Sequence, residues 1–112
     1  MSAPFHWLDL AGRTYVVTGA ASGIGLAYAE VMAEHGAHVS LFDLDAARLA
    51  EALTRLRHDY PQAGDLRAEV VDVTDRAALH AAFDRSAAAH GGLDILFANA
   101  GIDAGPGFLT PE

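Results

Sequence analysis

Thr18-Gly19-Ala20-Ala21-Ser22-Gly23-Ile24-Gly25 follows the apolar run Tyr15-Val16-Val17 and opens a stripe of Ile24, Ala27, Tyr28, Val31 and Met32 at helical spacing. A glycine-rich turn between a strand and a helix suits a phosphate. Glycine adopts positive φ and leaves no Cβ in the way, so an anion can reach the N–H groups that a helix leaves unpaired at its start. The aligned peptide dipoles add roughly 0.3–1 kcal/mol for an anion at an exposed helix end. The same glycines also suit a tight turn that holds no ligand. The spacing is G-x-x-x-G-x-G, not G-x-G-x-x-G, and no Gly-Lys-Ser/Thr follows, so the lysine and hydroxyl of a triphosphate-binding P-loop are missing.

Working outward, Arg13 to Thr18 has the β-branched and aromatic residues of a strand, and the helix after the turn is predicted to reach about His35, with Gly36 as a left-handed C-cap. A second strand, about His38 to Phe42, ends at Asp43. Asp45 is placed to cap a helix through Leu49, Leu53 and Leu56 before Pro61. The pattern then repeats: Ala68 to Val73 reads as a buried third strand, Thr74 or Asp75 caps a helix carrying Leu79, Ala82 and Phe83, and Gly91-Gly92 ends it before a fourth strand from Leu93 to Ala98. Residues 1 to 12 show no period, and Trp7, Leu8 and Leu10 are expected to lie against the domain. Strands alternating with amphipathic helices predict an α/β fold of parallel βαβ units, in which right-handed crossovers put helices on both faces of the sheet.

The 112 residues form one domain at most, 1–112, and at 52% hydrophobic they can build a packed core. No apolar run is long enough to span a bilayer, and Met1-Ser2-Ala3-Pro4-Phe5-His6-Trp7 lacks the charge and apolar block of a secretory signal, so no membrane association and a cytoplasmic location are expected. There is no cysteine, which removes disulfide and thiolate chemistry. A net charge of −8, with seven arginines scattered among more numerous carboxylates, argues against nucleic acid as a partner. All seven basic residues are arginine; the chain has no lysine.

Thr18 followed by Gly19, Gly23 and Gly25 resembles the T-G-x-x-x-G-x-G loop of the short-chain dehydrogenases and reductases, NAD(P)-dependent oxidoreductases with a Rossmann fold. Further segments match in order up to Gly101. The resemblance implies a doubly wound parallel sheet of which this chain carries the first half, four strands in the order 3-2-1-4, with Gly19, Ser22, Gly23, Ile24 and Gly25 around the cofactor's pyrophosphate. Asp43, 18 positions after Gly25, would accept hydrogen bonds from the adenosine ribose and repel a 2′-phosphate. In the family a basic residue favouring NADP usually stands where this chain has Ser22 or Leu44, so NAD is the expected cofactor and NADP the lesser one. Asp72-Val73 resembles the family's Asp-Val pair at the adenine edge, although Asp before Thr74-Asp75 also suits helix-start chemistry. Asn99-Ala100-Gly101 resembles the N-N-A-G segment, with Ala98 in place of the first asparagine; an Asn-Gly turn without ligand contact is its plainer reading.

The family's active site adds a serine, a Tyr-x-x-x-Lys pair and an asparagine beyond that segment, and they are not found here. Four residues after Tyr15, Tyr28 and Tyr60 stand Gly19, Met32 and Gly64. Ser86 reads as a surface position within the third helix. His6, His35, His38, His58, His80 and His90 read as scattered surface residues without paired metal spacing. No residue is assigned as catalytic and none as a metal ligand. Two functions are carried forward. One is the cofactor-binding part of a dehydrogenase that, when complete, moves hydride between nicotinamide and a small alcohol or carbonyl substrate. The other is a dinucleotide-binding or interaction protein without turnover. The ending Gly105-Pro106-Gly107-Phe108-Leu109-Thr110-Pro111-Glu112 reads as a loop entering another helix, and an open edge at the fourth strand is expected to favour a homo-oligomer.

Overall fold

The computed structural model describes residues 11–97. It contains β1 (Thr14–Thr18), α1 (Gly23–Glu34), β2 (His38–Asp43), α2 (Ala46–Asp59), β3 (Leu66–Val70), α3 (Arg76–His90) and β4 (Ile95–Phe97). The sheet runs β3-β2-β1-β4 with every pairing parallel, as the alternating pattern predicts. The register pairs Thr18 with Phe42 and Asp43 with Val70, so β1, β2 and β3 end along one edge.

Side-chain alternation in the two central strands decides which helix goes where. Tyr15 and Val17 of β1, with Val39 and Leu41 of β2, form one core with Ala29, Met32 and Ala33 of α1 and Leu49 and Leu56 of α2. The residues between them point the other way, where Val16 and Phe42 meet Val71 and Ala82, with Leu79 and Phe83 packed against them. Helices α1 and α2 therefore cover one face and α3 the other. Fully burying a side chain of this size contributes roughly 1.5–3 kcal/mol, which is why β1 and β2 read as continuous apolar runs.

The helix ends follow local chemistry. Asp45 caps α2 by accepting from Arg48 N–H at 3.0 Å, and Asp75, of the two candidates, caps α3 by accepting from Ala78 N–H at 3.1 Å. Gly36 and Gly91 both take positive φ just past their helices. The third strand differs from expectation. It spans Leu66–Val70, not Ala68 to Val73, because it pairs with β2 over Val39 to Asp43 and β2 ends at Asp43. Nor is it buried throughout: it is an edge of the described sheet, and Val70 is 57% exposed.

Ser86 is not a surface residue. It lies four positions after Ala82 on the inner side of α3 and is fully buried, its Oγ without a hydrogen-bond partner among the described residues. His90 is likewise no surface histidine, since its side chain is 2% exposed, its Nε2 meets Asp65 Oδ2 at 2.9 Å, and its ring stacks on His38 at 4.8 Å. His38 Nδ1 in turn accepts from Asp65 N–H at 2.8 Å. The expected fourth-strand residue Ala98 and the packing of Trp7, Leu8 and Leu10 lie outside the described residues.

One edge contact has a pH signature. Glu69 on β3 accepts from Arg85 Nε at 3.0 Å and Nη2 at 2.9 Å, and Arg67 stands 3.6 Å away. The hydrogen bonds from Arg85, more than the charges around it, hold the Glu69 carboxyl below its ordinary value of 4.5. A carboxyl lowered on folding stabilises the native state above its unfolded value, and this contribution is lost as pH falls through the folded value. Arg85→Ala is expected to lower the thermal midpoint modestly near neutral pH, because Arg85 is solvent-exposed and the pair is screened. Melting curves of wild type and variant should draw together as pH falls from above the ordinary glutamate value through the lowered folded one; a gap of undiminished size in acid would refute the ion-pair account.

Candidate nucleotide-binding edge

The turn after β1 is built by backbone conformation. Gly19 has φ of 65° and Gly23 φ of 62°, values that strain any residue with a Cβ. These two reversals turn the chain from the end of β1 into α1, whose helical segment begins at Gly23. Ser22 sits at the N-cap in extended conformation, yet its hydroxyl makes no capping hydrogen bond, and the first turn carries no acidic side chain. The first helical bond is the one Leu26 N–H donates to Ser22 O at 3.4 Å. The amides of Gly23, Ile24 and Gly25 precede it, and the first amides of a helix have no upstream carbonyl. Helices α2 and α3 each have one such amide capped, by Asp45 and Asp75, whereas the N-cap side chain of α1 caps none.

This end leaves room for an anion such as a pyrophosphate in front of its open amides. Among the described residues, a Cβ built at Gly23 would meet nothing within 4 Å beyond its chain neighbours and its own helix, so these leave the space in front of the turn open. Gly25 is buried where α1 settles on the sheet, while Ile24 is 66% exposed beside the turn. Leu44 is 67% exposed just after β2. Large apolar side chains left this bare beside open amides suit contact with a ligand.

Asp43 stands at the end of β2, half-buried, next to the turn. Its Oδ2 accepts from Ala21 N–H at 2.9 Å and its Oδ1 from Asp45 N–H at 2.9 Å. Its backbone carbonyl accepts from Val71 N–H at 3.0 Å, continuing the β2–β3 ladder one residue past the strand. The sequence places Asp43 near the loop; that its carboxylate bonds Ala21 has no local signal, since 22 residues separate them.

Asp72 and Val73 do not end β3, as the sequence suggests, but follow it in the turn before α3. Asp72 Oδ1 accepts from Thr74 N–H at 2.9 Å and from Thr74 Oγ1 at 2.7 Å. The Thr74 hydroxyl, then its amide, hold the Asp72 carboxyl below the ordinary range. Helix-start chemistry is thus visible at this position, on the same sheet edge as Asp43. Asn99, Ala100 and Gly101 lie outside the described residues. Among the described residues no group of three or more histidine, aspartate or glutamate side chains could hold a metal ion, and no helix is long and apolar enough to cross a membrane.

Known proteins are similar to this chain in sequence and fold. The family model for short chain dehydrogenase matches residues 13–110. Cis-4-hydroxycyclohexanecarboxylate dehydrogenase of Sinomonas cyclohexanicum is 48% identical over 82% of this chain and 35% of its own length. Among solved structures, L-sorbose reductase from Gluconobacter frateurii, complexed with NADPH and L-sorbose, superposes with a TM-score of 0.76 at 37% identity, over 83% of this chain and 35% of that one. A short chain dehydrogenase from Mycobacterium paratuberculosis bound to NAD gives 0.75 at 34% identity, over 84% and 38%. The chain spans about a third of the length of most of these curated relatives and about half of one, a short chain dehydrogenase/reductase of Macrophomina phaseolina. With the glycine turn, the strand order and the family match in agreement, this chain belongs to the short-chain dehydrogenase family and has the Rossmann-type fold of that family's nicotinamide-nucleotide-binding part.

Proposed function

We propose that this chain binds NAD in preference to NADP, as the cofactor-holding part of an enzyme that moves hydride between nicotinamide and a small alcohol or carbonyl substrate. The observation that carries the preference is Asp43, a carboxylate at the end of β2 beside an uncapped helix start, with Ser22 and Leu44 where a basic residue would favour a 2′-phosphate. Similar proteins are found with either cofactor, so the choice rests on this chain's own residues. Amides of the turn and of Gly23, Ile24 and Gly25 would hold the pyrophosphate. Asp43 would accept from the adenosine ribose hydroxyls and disfavour a phosphate there by like-charge repulsion. Ile24 and Leu44 would pack on the cofactor, with Asp72 and Val73 at the adenine end and Asn99, Ala100 and Gly101 beyond β4.

The nicotinamide supplies the hydride chemistry when bound. What these 112 residues supply is position, since without lysine they contain no Tyr-x-x-x-Lys pair to move a proton at the substrate oxygen. Assayed alone, the chain is expected to bind without turnover.

Equilibrium titration with both cofactors tests the reading. Asp43→Ala should weaken NAD and narrow the NAD-to-NADP affinity ratio by about tenfold or more, the scale of one lost hydrogen bond to a charged group. An unchanged ratio would place discrimination elsewhere.

A further inference from the structure

The Asp43 carboxylate has a task before any cofactor arrives. Its two oxygens each accept a backbone N–H at 2.9 Å, one from Ala21 in the turn after β1 and one from Asp45 at the start of α2. Ala20 N–H donates to Phe42 O at 3.1 Å, so the turn is laid against the last residues of β2 at two consecutive amides. Among the described residues, the Ala20 amide is bonded to backbone, and the amide of Ala21, the residue before the N-cap Ser22, is bonded to the Asp43 side chain.

From this we infer that Asp43 is a positioning residue for the glycine turn: its carboxylate fixes where the uncapped amides of Gly23, Ile24 and Gly25 stand. A carboxylate offers about four lone-pair sites, of which the two backbone bonds use two. The remaining two are enough for a pair of ribose hydroxyls, so tethering and ribose recognition coexist on one side chain. This rests on the proposed cofactor reading only for the ribose; the tether stands on the two bonds. It also changes what Asp43 substitutions mean, because removing the carboxylate relaxes discrimination and loosens the phosphate grip together.

A simple electrostatic role and a tether predict opposite signs for a ligand that does not use the ribose. Deleting a carboxylate beside an anion site should by charge alone strengthen inorganic pyrophosphate binding. Deleting a tether should weaken it.

The experiment compares the full chain with its Asp43→Ala variant, without cofactor, by amide hydrogen exchange and by pyrophosphate titration. In the variant, the Ala20 amide, which makes no bond to Asp43, should exchange about tenfold faster, and the Ser22 to Gly25 amide resonances should shift. The Val16 and Val39 amides in the sheet serve as controls and should keep their protection. Pyrophosphate binding should weaken. Unchanged Ala20 exchange with unshifted turn resonances overturns the tether, whatever pyrophosphate does. Should Asp43→Ala not fold, as lost protection at Val16 and Val39 would show, Asp43→Leu carries the same readout, because its branched side chain has nearly the shape of aspartate but can accept from neither Ala21 nor Asp45. Failure of the wild type to bind NAD would sink the cofactor reading and leave the exchange result to decide the tether by itself.

Discussion

Phe42→Ala is expected to destabilise the fold by about 3–5 kcal/mol, the range for emptying a buried aromatic site. Phe42 is fully buried in the smaller core, between Val16, Val71 and Ala82, with its ring 5.5 Å from that of Phe83. That core is what attaches α3 to the sheet, and it has few members to close over a cavity. The larger core on the other face contains Leu41, Leu49 and Leu56 and has more neighbours to relax. Total stability of a small domain is about 5–15 kcal/mol, and a chain of this size buries a smaller share of its surface than a large one. Urea denaturation should therefore show the variant largely unfolded or with a much lower midpoint. A midpoint near the wild-type value would mean that the α3 face contributes little to holding this sheet together.

Gly23→Val should separate binding from folding. With φ at 62°, a β-branched residue here is a backbone outlier costing about 1–2 kcal/mol. Among the described residues, a Cβ at this position meets no atom within 4 Å beyond its chain neighbours and its own helix, so backbone strain is the main expected penalty to the fold. The side chain would, however, stand in the open space before the amides of Ile24 and Gly25. NAD affinity should drop by more than about tenfold, since the lost contacts are charge-assisted hydrogen bonds. Gly91→Val is the matched control: φ is 78°, a Cβ there is equally unobstructed, and the site lies at the other end of the sheet, after α3. It should cost similar stability and leave NAD affinity alone. Calorimetric melting with NAD titration on both variants checks this; wild-type affinity in Gly23→Val would remove the turn from the binding site.

Much of the fold and part of the site could be read along the chain because they depend on neighbours in sequence. The glycine turn, the caps Asp45 and Asp75, the stops at Gly36 and Gly91, and the split of β1 and β2 between two faces all follow from φ preference, capping geometry and alternation. So does the presence of Asp43 at the end of β2, because strand and turn lengths carry it there. Pairing decided the rest. The end of β3 was set by where β2 stops, not by its own apolar run through Val73, and its exposure by lying at an edge. Ser86 is buried because α3 turns that side to the sheet, and His90 because the end of α3 meets His38 and Asp65 from other elements. The bond from Ala21 to Asp43 belongs to the same class. Local rules put a carboxylate and a glycine turn in the chain, but only parallel pairing of β1 with β2 brings residues 22 positions apart within 2.9 Å.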